Sequence, residues 1–120
     1  MAGKSPVIYG DGEQSRDFTY VDNAVNANLL AARHDSAIGG EVINVGCARR
    51  ISVNELARLV AQILGWPDLK PQHQPERAGD IKHSFADLSR ARKVLGYEPV
   101  VDFESGLATT LQWYQATMGG

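Results

Sequence analysis

Two arginines in glycine-flanked, non-helical segments are the residues of this sequence best suited to binding chemistry. Arg16 lies in the segment EQSRDF, and Arg77 lies in the segment PERAGD. A guanidinium group is a planar, permanently charged fork that matches the oxygens of a phosphate. Two of them that converge would suit a diphosphate. Asp80 follows Arg77 closely and could accept hydrogen bonds from a pair of hydroxyls, such as a ribose offers.

An ordinary surface role is the alternative for both arginines. Asp17 and Glu76 are the adjacent carboxylates with which Arg16 and Arg77 could form exposed ion pairs. Such pairs are common and contribute only ~0–1 kcal/mol to stability. From spacing alone, surface pairing is the favoured interpretation of each arginine.

Other site chemistries lack their residue patterns. The histidines and the single cysteine have no metal-ligand spacing: His34, His73, His83 and Cys47. No nucleophile elbow, G-x-S-x-G, occurs, and the phosphate-binding patterns G-x-x-x-x-G-K-S/T and G-x-G-x-x-G are absent. We therefore predict no metal site and no catalytic residue in this chain.

The composition is that of one globular domain, which we expect to span residues 1–120. The net charge of -2 argues against general binding to nucleic acid or to a membrane surface, because both need a basic face. One cysteine cannot form an internal disulfide, which suits a reducing compartment. No segment resembles a signal peptide or a membrane span, so a cytoplasmic protein is expected.

Three short segments have strand character. Pro6–Tyr9 and Phe18–Val21 are β-branched and aromatic, and the glycine-rich turn at residues 10–12 would allow them to form a loose hairpin-like pair. Glu41–Val45, with the sequence EVINV, is the third candidate.

Two helices are predicted in the first half of the chain. Asp22 is the expected N-cap of the first helix. Apolar residues then recur at helical spacing: Val25, Leu29 and Ala32. Ser52 and Glu55 form a capping box for the second helix, and Gly65 ends it. Its apolar stripe consists of Val53, Leu56, Ala57, Val60, Ile63 and Leu64.

Two more helices are predicted in the second half. Asp87 and Asp102 are their expected caps, and Gly96 ends the shorter one. The apolar residues of the two helices are Leu88, Ala91 and Leu95, and then Phe103, Leu107, Leu111 and Tyr114. Trp113 and Tyr114 are expected to be core residues rather than a stacking platform.

The order of the elements predicts a small α/β domain with few short strands, about four helices and some parallel pairing. The sequence has no internal repeat and no linker. Because a scaffold usually carries its function on loops, we expect the site on the irregular segments.

Five ordered motifs resemble the C-terminal portion of nucleotide-sugar epimerases and dehydratases. These enzymes form the extended short-chain dehydrogenase/reductase family, in which UDP-glucose 4-epimerase is a familiar member. The motifs are IYGDGEQSRDFTYVD, EVINVG, ISVNELA, ERAGDIKHSFADLSRARKVLGYEP and FESGLATTLQWY. They cover the chain from about Pro6 to Tyr114. The resemblance implies the C-terminal domain of such an enzyme without its Rossmann half.

The resemblance also implies roles for particular residues. In the family, the arginines of the RDF and R-x-G-D motifs bind the diphosphate of the nucleotide-sugar, and these match Arg16 and Arg77. The family aspartate that contacts the ribose matches Asp80. The I-Y-G segment lies beside the pyrimidine base, which implies a role for Val7–Tyr9, and Gln14 is implied to touch sugar or phosphate. The implied substrate-binding residues are Val7, Tyr9, Gln14, Arg16, Arg77 and Asp80. With the resemblance, a phosphate site becomes the favoured interpretation of both arginines.

The N-terminal half of the family fold has no counterpart in the sequence. In the family that half holds the Rossmann sheet, the glycine fingerprint for NAD and the Y-x-x-x-K catalytic motif. None of the four tyrosines is followed by a lysine four positions later: Tyr9, Tyr20, Tyr97 and Tyr114. We therefore expect no bound cofactor and no oxidation or epimerisation by this chain alone.

Three functions stay open at this point. The first is a catalytically incomplete domain that binds the nucleoside diphosphate of a UDP- or dTDP-linked sugar, either as a truncated product, a cloned domain or a separate reading frame. The second is an interaction module that reuses the fold for self-association, for example as a homodimer. The third is one half of a split epimerase that needs a separate Rossmann-type partner. The motifs do not distinguish epimerase, dehydratase and reductase parentage.

Overall fold

The computed structural model describes residues 3–118. They contain four helices, namely α1 (Val21–Ala32), α2 (Val53–Ile63), α3 (Ser89–Leu95) and α4 (Phe103–Met118). They also contain four short strands, namely β1 (Val7–Tyr9), β2 (Ser15–Arg16), β3 (Ile51–Ser52) and β4 (Gln72–Gln74). The predicted small α/β architecture is thus confirmed. The ends of the predicted domain, residues 1–2 and 119–120, lie outside the described residues. None of the four helices has the length and apolarity needed to cross a bilayer.

The strands form two separate pairs. β1 pairs with β4 in parallel, so that Val7 lies opposite Gln72 and Tyr9 lies opposite Gln74, whereas β2 pairs with β3 in antiparallel fashion. The predicted strand at Pro6–Tyr9 is confirmed as β1. The predicted hairpin is wrong, because β1 takes its partner from far along the chain.

The predicted strand Phe18–Val21 is also wrong, since this segment is irregular and leads directly into α1. Its aromatic side chains are anchors on α4. The Phe18 ring centroid lies 6.0 Å from that of Phe103. Tyr20 packs over Gly106, where an added Cβ would lie 2.6 Å from the Tyr20 Cβ. Packing against a helix overrides the strand propensity of these residues.

The predicted strand Glu41–Val45 has no strand partner among residues 3–118. It retains the side-chain alternation of a strand, because Ile43 and Val45 pack on the buried cluster around Ala91 whereas Val42 is 82% exposed. A strand is completed by the ladder of a neighbour. The prediction is therefore wrong for the described part of the chain, although the pattern behind it is present.

The predicted ends of α2 are confirmed. The Ser52 Oγ accepts a hydrogen bond from the Glu55 backbone N–H at 3.1 Å, which satisfies a free donor of the first turn. At the other end, the Gly65 N–H donates to the Gln62 carbonyl at 3.1 Å and closes the last turn. Local sequence determines both ends of this helix.

The other predicted caps differ in outcome. The Asp102 carboxylate accepts a hydrogen bond from the Ser105 N–H at 2.7 Å, which lowers the pKa of Asp102 and caps α4 as predicted. The prediction for Asp87 is wrong by one position, because Leu88 is the N-cap of α3, although the Asp87 carboxylate accepts from the Ser89 N–H at 2.8 Å. The prediction for Asp22 is wrong, because α1 begins without a side-chain cap and Asp22 lies inside its first turn. There its charge still complements the helix dipole.

Helix α1 presents the opposite face to the core from the predicted one. Asn23 and Ala27 are buried, whereas Val25 is 48% exposed and Leu29 is 44% exposed. The helical spacing is confirmed, but the apolar row Val25 and Leu29 lies on the outward side of α1. The inward side carries Asn23, whose side chain makes buried hydrogen bonds to Val100 and Val101, and no element of residues 3–118 covers the apolar row.

Helix α4 follows its prediction in the first turns and departs from it in the last ones. Phe103 and Leu111 are buried, as predicted. Trp113 and Tyr114 are exposed and form an edge-to-face pair with ring centroids 5.1 Å apart, so their assignment to the core is wrong. Every residue of α4 from 112 to 118 is exposed.

Asn23 is fully buried and joins α1 to the segment that precedes α4. Its Oδ1 accepts hydrogen bonds from the N–H groups of Val100 at 2.9 Å and Val101 at 3.0 Å. Its Nδ2 donates to the Val101 carbonyl at 2.8 Å. The side chain thus supplies hydrogen-bond partners that the backbone of this irregular segment would otherwise lack.

The glycine-rich loop after β1 is held by Asn54 at the start of α2. The Asn54 Nδ2 donates to the Asp11 carbonyl at 2.9 Å and to the Glu13 carboxylate at 2.6 Å, and its backbone N–H donates to the Gly12 carbonyl. Gly12 has φ +77°, and a Cβ there would overlap Asn54. Only glycine fits both the conformation and the close approach.

We expect Asn23→Ala to lower the free energy of unfolding by ~3 kcal/mol, because it leaves buried backbone groups without partners. Urea denaturation measures the change. Asn28→Ala is the matched control, since Asn28 is an exposed residue of the same helix whose amide bonds only within α1. An equal effect of the two substitutions would contradict the proposed role of Asn23.

We expect Gly12→Ala to cost ~2–4 kcal/mol, because left-handed backbone strain of ~1–2 kcal/mol adds to the overlap with Asn54. Gly39→Ala isolates the strain, since Gly39 has φ +68° and open space around it. Thermal unfolding of both variants should therefore show the larger loss for Gly12→Ala. Equal losses would mean that contact with Asn54 does not restrict the loop.

Candidate functional site

Tyr9 and the loop after it lie at the end of the β1–β4 pair. The Gly10 N–H donates to the Gln74 carbonyl at 2.8 Å, and the His73 Nδ1 lies 2.9 Å from the Gly10 carbonyl. The two segments that follow β1 and β4 therefore leave the parallel pair side by side. One continues into the glycine-rich loop toward Arg16, and the other continues toward Arg77.

The backbone of Ser15 connects these two segments again by hydrogen bonds. Its N–H donates to the Lys82 carbonyl at 2.8 Å, and its carbonyl accepts from the Ser84 N–H at 3.0 Å. Its buried hydroxyl lies 2.8 Å from the His83 Nδ1. Segment 82–84 thus runs parallel to β2, an arrangement that no periodicity in the sequence indicated.

The guanidinium group of Arg16 is held on two sides. One Nη donates to the Ser15 carbonyl at 2.8 Å, and the other donates to the Asp80 carboxylate at 2.8 Å. About a third of each side chain of the Arg16–Asp80 pair is exposed, so the group is accessible but partly desolvated. Arg16 does form an ion pair, but its partner is Asp80 and not Asp17.

Asp17 has a structural role instead. Its carboxylate accepts hydrogen bonds from the N–H groups of Cys47 at 2.8 Å and Ala48 at 3.0 Å. Ala48 has φ +53°, an unfavourable conformation for a residue with a side chain. Asp17 therefore stabilises this turn and does not compete for Arg16.

Arg77 lies against Tyr9. Its guanidinium carbon is 3.7 Å from the centroid of the Tyr9 ring, which is a close cation–π contact. The Asp80 N–H donates to the Arg77 carbonyl at 3.3 Å, and Gly79 within this turn has φ +82°. The R-x-G-D motif is therefore a β-turn that brings Arg77 and Asp80 close together.

Five of the six predicted substrate-binding residues form one connected group. The contacts run from Arg16 to Asp80, through the turn to Arg77, and on to Tyr9, whose carbonyl accepts from the Gln14 Nε2 at 2.8 Å. Val7 is the sixth, and it lines an apolar groove of about 360 Å³ between β1 and α2. Neither arginine lines that groove.

Charge pairing also closes the loop beside the site. The Lys82 Nζ donates to both oxygens of the Asp11 carboxylate, at 2.7 Å and 2.8 Å. This hydrogen bond lowers the pKa of Asp11 and raises the pKa of Lys82. Sequence reasoning missed both residues, because a pairing across so many positions leaves no local signal. Within residues 3–118, no group of three histidine, cysteine or acidic side chains is placed to hold a metal ion.

Known proteins with similar sequences are nucleotide-sugar enzymes. The chain is 38% identical over 115 residues to a UDP-glucose 4-epimerase of Mycolicibacterium smegmatis. The aligned region covers 96% of this chain and 36% of that enzyme. The family model described as GDP-mannose 4,6 dehydratase matches residues 1–110. The chain spans about a third of the length of the curated relatives that it matches.

Solved structures of the same class share the fold. The UDP-glucose 4-epimerase of Thermotoga maritima, solved with UDP-glucose, superposes with a TM-score of 0.87 at 40% identity, over 97% of this chain and 36% of that one. The UDP-glucuronic acid 4-epimerase of Bacillus cereus, solved with UDP-glucuronic acid and NAD, has a TM-score of 0.87 at 31% identity, over 95% of this chain and 36% of that one. The chain therefore belongs to the GDP-mannose 4,6 dehydratase family of nucleotide-sugar epimerases and dehydratases and corresponds to its C-terminal portion.

Proposed function

We propose that this chain binds the nucleoside diphosphate part of a nucleotide-sugar through Arg16 and Arg77. The observation that carries the proposal is the continuous set of contacts that links the two guanidinium groups through Asp80 and the R-x-G-D turn. Two arginines that are distant in sequence thereby belong to one connected group of residues, which supports a shared ligand. The UDP-glucose in the Thermotoga maritima structure supports a UDP-linked ligand.

The two arginines offer their donors in different ways. Arg77 lies close over the ring of Tyr9, and a guanidinium group stacked in this way keeps the N–H groups at its edge available for phosphate oxygens. Arg16 bonds to Ser15 and Asp80 through its two Nη atoms, and its Nε has no hydrogen-bond partner among residues 3–118. A diphosphate would bridge the two guanidinium groups, each of which would donate charge-assisted hydrogen bonds to its oxygens.

The edge of β1 supplies a place for the base. Pro6 and Gly10 bond to β4, so by the alternation of a parallel pair the backbone groups of Val7 and Tyr9 point away from it. The Tyr9 carbonyl accepts from Gln14, and the backbone groups of Val7 remain for the edge of a pyrimidine. In this proposal Asp80 accepts hydrogen bonds from the ribose hydroxyls, and the Gln14 side-chain amide contacts a sugar hydroxyl through its Oε1 or a phosphate through its second Nε2 hydrogen.

We further propose that the chain alone does not catalyse the family reaction. NAD, which accompanies the sugar nucleotide in the Bacillus cereus enzyme, would supply hydride transfer, but the residues here do not fit a dinucleotide. The first N–H groups of α2 already bond to the carbonyls of Gly12 and Gln14, so this glycine-rich loop and helix start form no pyrophosphate cradle. The proposed domain, 1–120, is therefore a substrate-binding one.

An interaction surface is the second candidate function. Val21, Val25 and Leu29 form an exposed apolar row along α1, and Val42 is exposed in a segment that lacks a strand partner within the described chain. Exposed apolar rows of this kind mark contacts with other protein surfaces. A homodimer or a separate Rossmann-type partner would cover it, and the first case makes the sedimentation coefficient depend on concentration.

Titration with UDP tests the binding proposal. We expect UDP at millimolar concentration to shift the NMR signals of Tyr9, Arg16 and Arg77, whereas NAD at the same concentration leaves them in place. Arg16→Ala and Arg77→Ala should each weaken UDP binding about 10- to 100-fold, because each removes charge-assisted hydrogen bonds worth ~1.5–3 kcal/mol.

Arg58→Ala is the control for the change in net charge. Arg58 is exposed on α2 and bonds only to Gln62 in the same helix. Unchanged signals of Tyr9, Arg16 and Arg77 at saturating UDP would contradict the proposal. A loss of affinity for Arg58→Ala equal to that of the site variants would reduce it to general charge attraction.

A further inference from the structure

We infer that Asp80 is a specificity-determining residue that keeps simple inorganic anions away from Arg16 and releases Arg16 to a ligand that carries hydroxyl groups. This inference rests on the proposed diphosphate site. It concerns which phosphate ligands the site admits.

The Arg16–Asp80 pair differs from the other ion pairs of the described residues in its burial. Its two side chains are 31% and 30% exposed, whereas the side chains of the other four pairs are between 45% and 62% exposed. Partial removal from water strengthens a charge-assisted hydrogen bond relative to a fully solvated one. Displacing Asp80 from Arg16 is therefore harder than opening an ordinary surface pair.

Asp80 is also restricted in where it can move. Its N–H bonds to the Arg77 carbonyl, so the carboxylate is carried by the same turn that presents Arg77. An anion that lies between Arg16 and Arg77 meets this carboxylate at once. It must either take the place of Asp80 on the Nη of Arg16 or accept a like charge next to it.

A ligand with hydroxyl groups changes this balance. A carboxylate that has lost its arginine partner needs other donors, because an unsatisfied charged acceptor in a partly buried position is unfavourable. Two neighbouring hydroxyls, as on a ribose beside its diphosphate, provide them. Inorganic pyrophosphate has no pair of neighbouring hydroxyls, so it displaces Asp80 without an equivalent replacement for the lost arginine.

Competition between Asp80 and an anion for Arg16 predicts that one substitution affects the binding of pyrophosphate and of UDP differently. Asp80→Asn keeps the size of the side chain and removes its charge. It should strengthen the binding of pyrophosphate about 10-fold, because the competing charge-assisted hydrogen bond is lost, and it should leave UDP binding unchanged or weaker. The ratio of the two dissociation constants, pyrophosphate over UDP, should fall at least 10-fold.

Glu76→Gln is the matched control. It makes the same change in net charge four positions earlier, and Glu76 forms no ion pair among residues 3–118. Calorimetric titrations of the three proteins with UDP and with pyrophosphate, in EDTA at one fixed low salt concentration, give the ratios. We expect Glu76→Gln to leave the ratio within twofold of that of the unaltered protein. Amide NMR spectra verify that each variant is folded.

Each result has a definite meaning. An equal rise in pyrophosphate affinity for Asp80→Asn and Glu76→Gln would overturn the inference, because general charge would explain it. Weaker binding of both ligands by Asp80→Asn would also overturn it, since Asp80 would then position Arg16 instead of competing for it. In both cases UDP binding by the unaltered protein leaves the proposed function standing. Failure of all three folded proteins to bind either ligand would overturn the diphosphate site and this inference together.

Discussion

The backbone hydrogen bonds of Ser15 to segment 82–84 are the constraint on which the candidate site depends. Ser15 precedes Arg16, and segment 82–84 follows the turn that carries Arg77 and Asp80, so these bonds set the distance between the two halves of the site. The strands here are too short to form an extended sheet. The protein compensates with single residues, because the buried Asn23 side chain and the Ser15 backbone supply partners for irregular backbone. Precision in the site therefore comes from single hydrogen bonds, not from a large ladder.

Local chemistry could be predicted from the sequence, and long-range pairing could not. The ends of α2 follow from Ser52, Glu55 and Gly65, because each of them acts within one helical turn of the end that it determines. The chemical types of Arg16, Arg77 and Asp80 identified a possible phosphate site, and the family resemblance gave their roles. That Arg77 stacks on Tyr9 and Arg16 pairs with Asp80 is a consequence of the parallel β1–β4 pair, whose partners leave no periodic signal.

The errors in α1 and in the segment Glu41–Val45 have one physical origin. A periodic apolar row predicts that something covers it, but not that the cover belongs to the same stretch of chain. Val25 and Leu29 keep the right spacing and face outward, and Val42 alternates correctly without a neighbouring strand. Periodicity therefore does not tell whether residues 3–118 themselves cover an apolar row.

The segment Glu41–Val45 has a practical consequence for handling the protein. A β-branched segment without a strand partner, a positive charge or a proline is a template for pairing between molecules, and native sheets protect such segments with lysine or with a bulge. We therefore expect any aggregation of concentrated solutions to start at this segment. A gatekeeper lysine in place of Val42, whose side chain already points into solvent, would suppress that route without touching any residue that contacts the arginines.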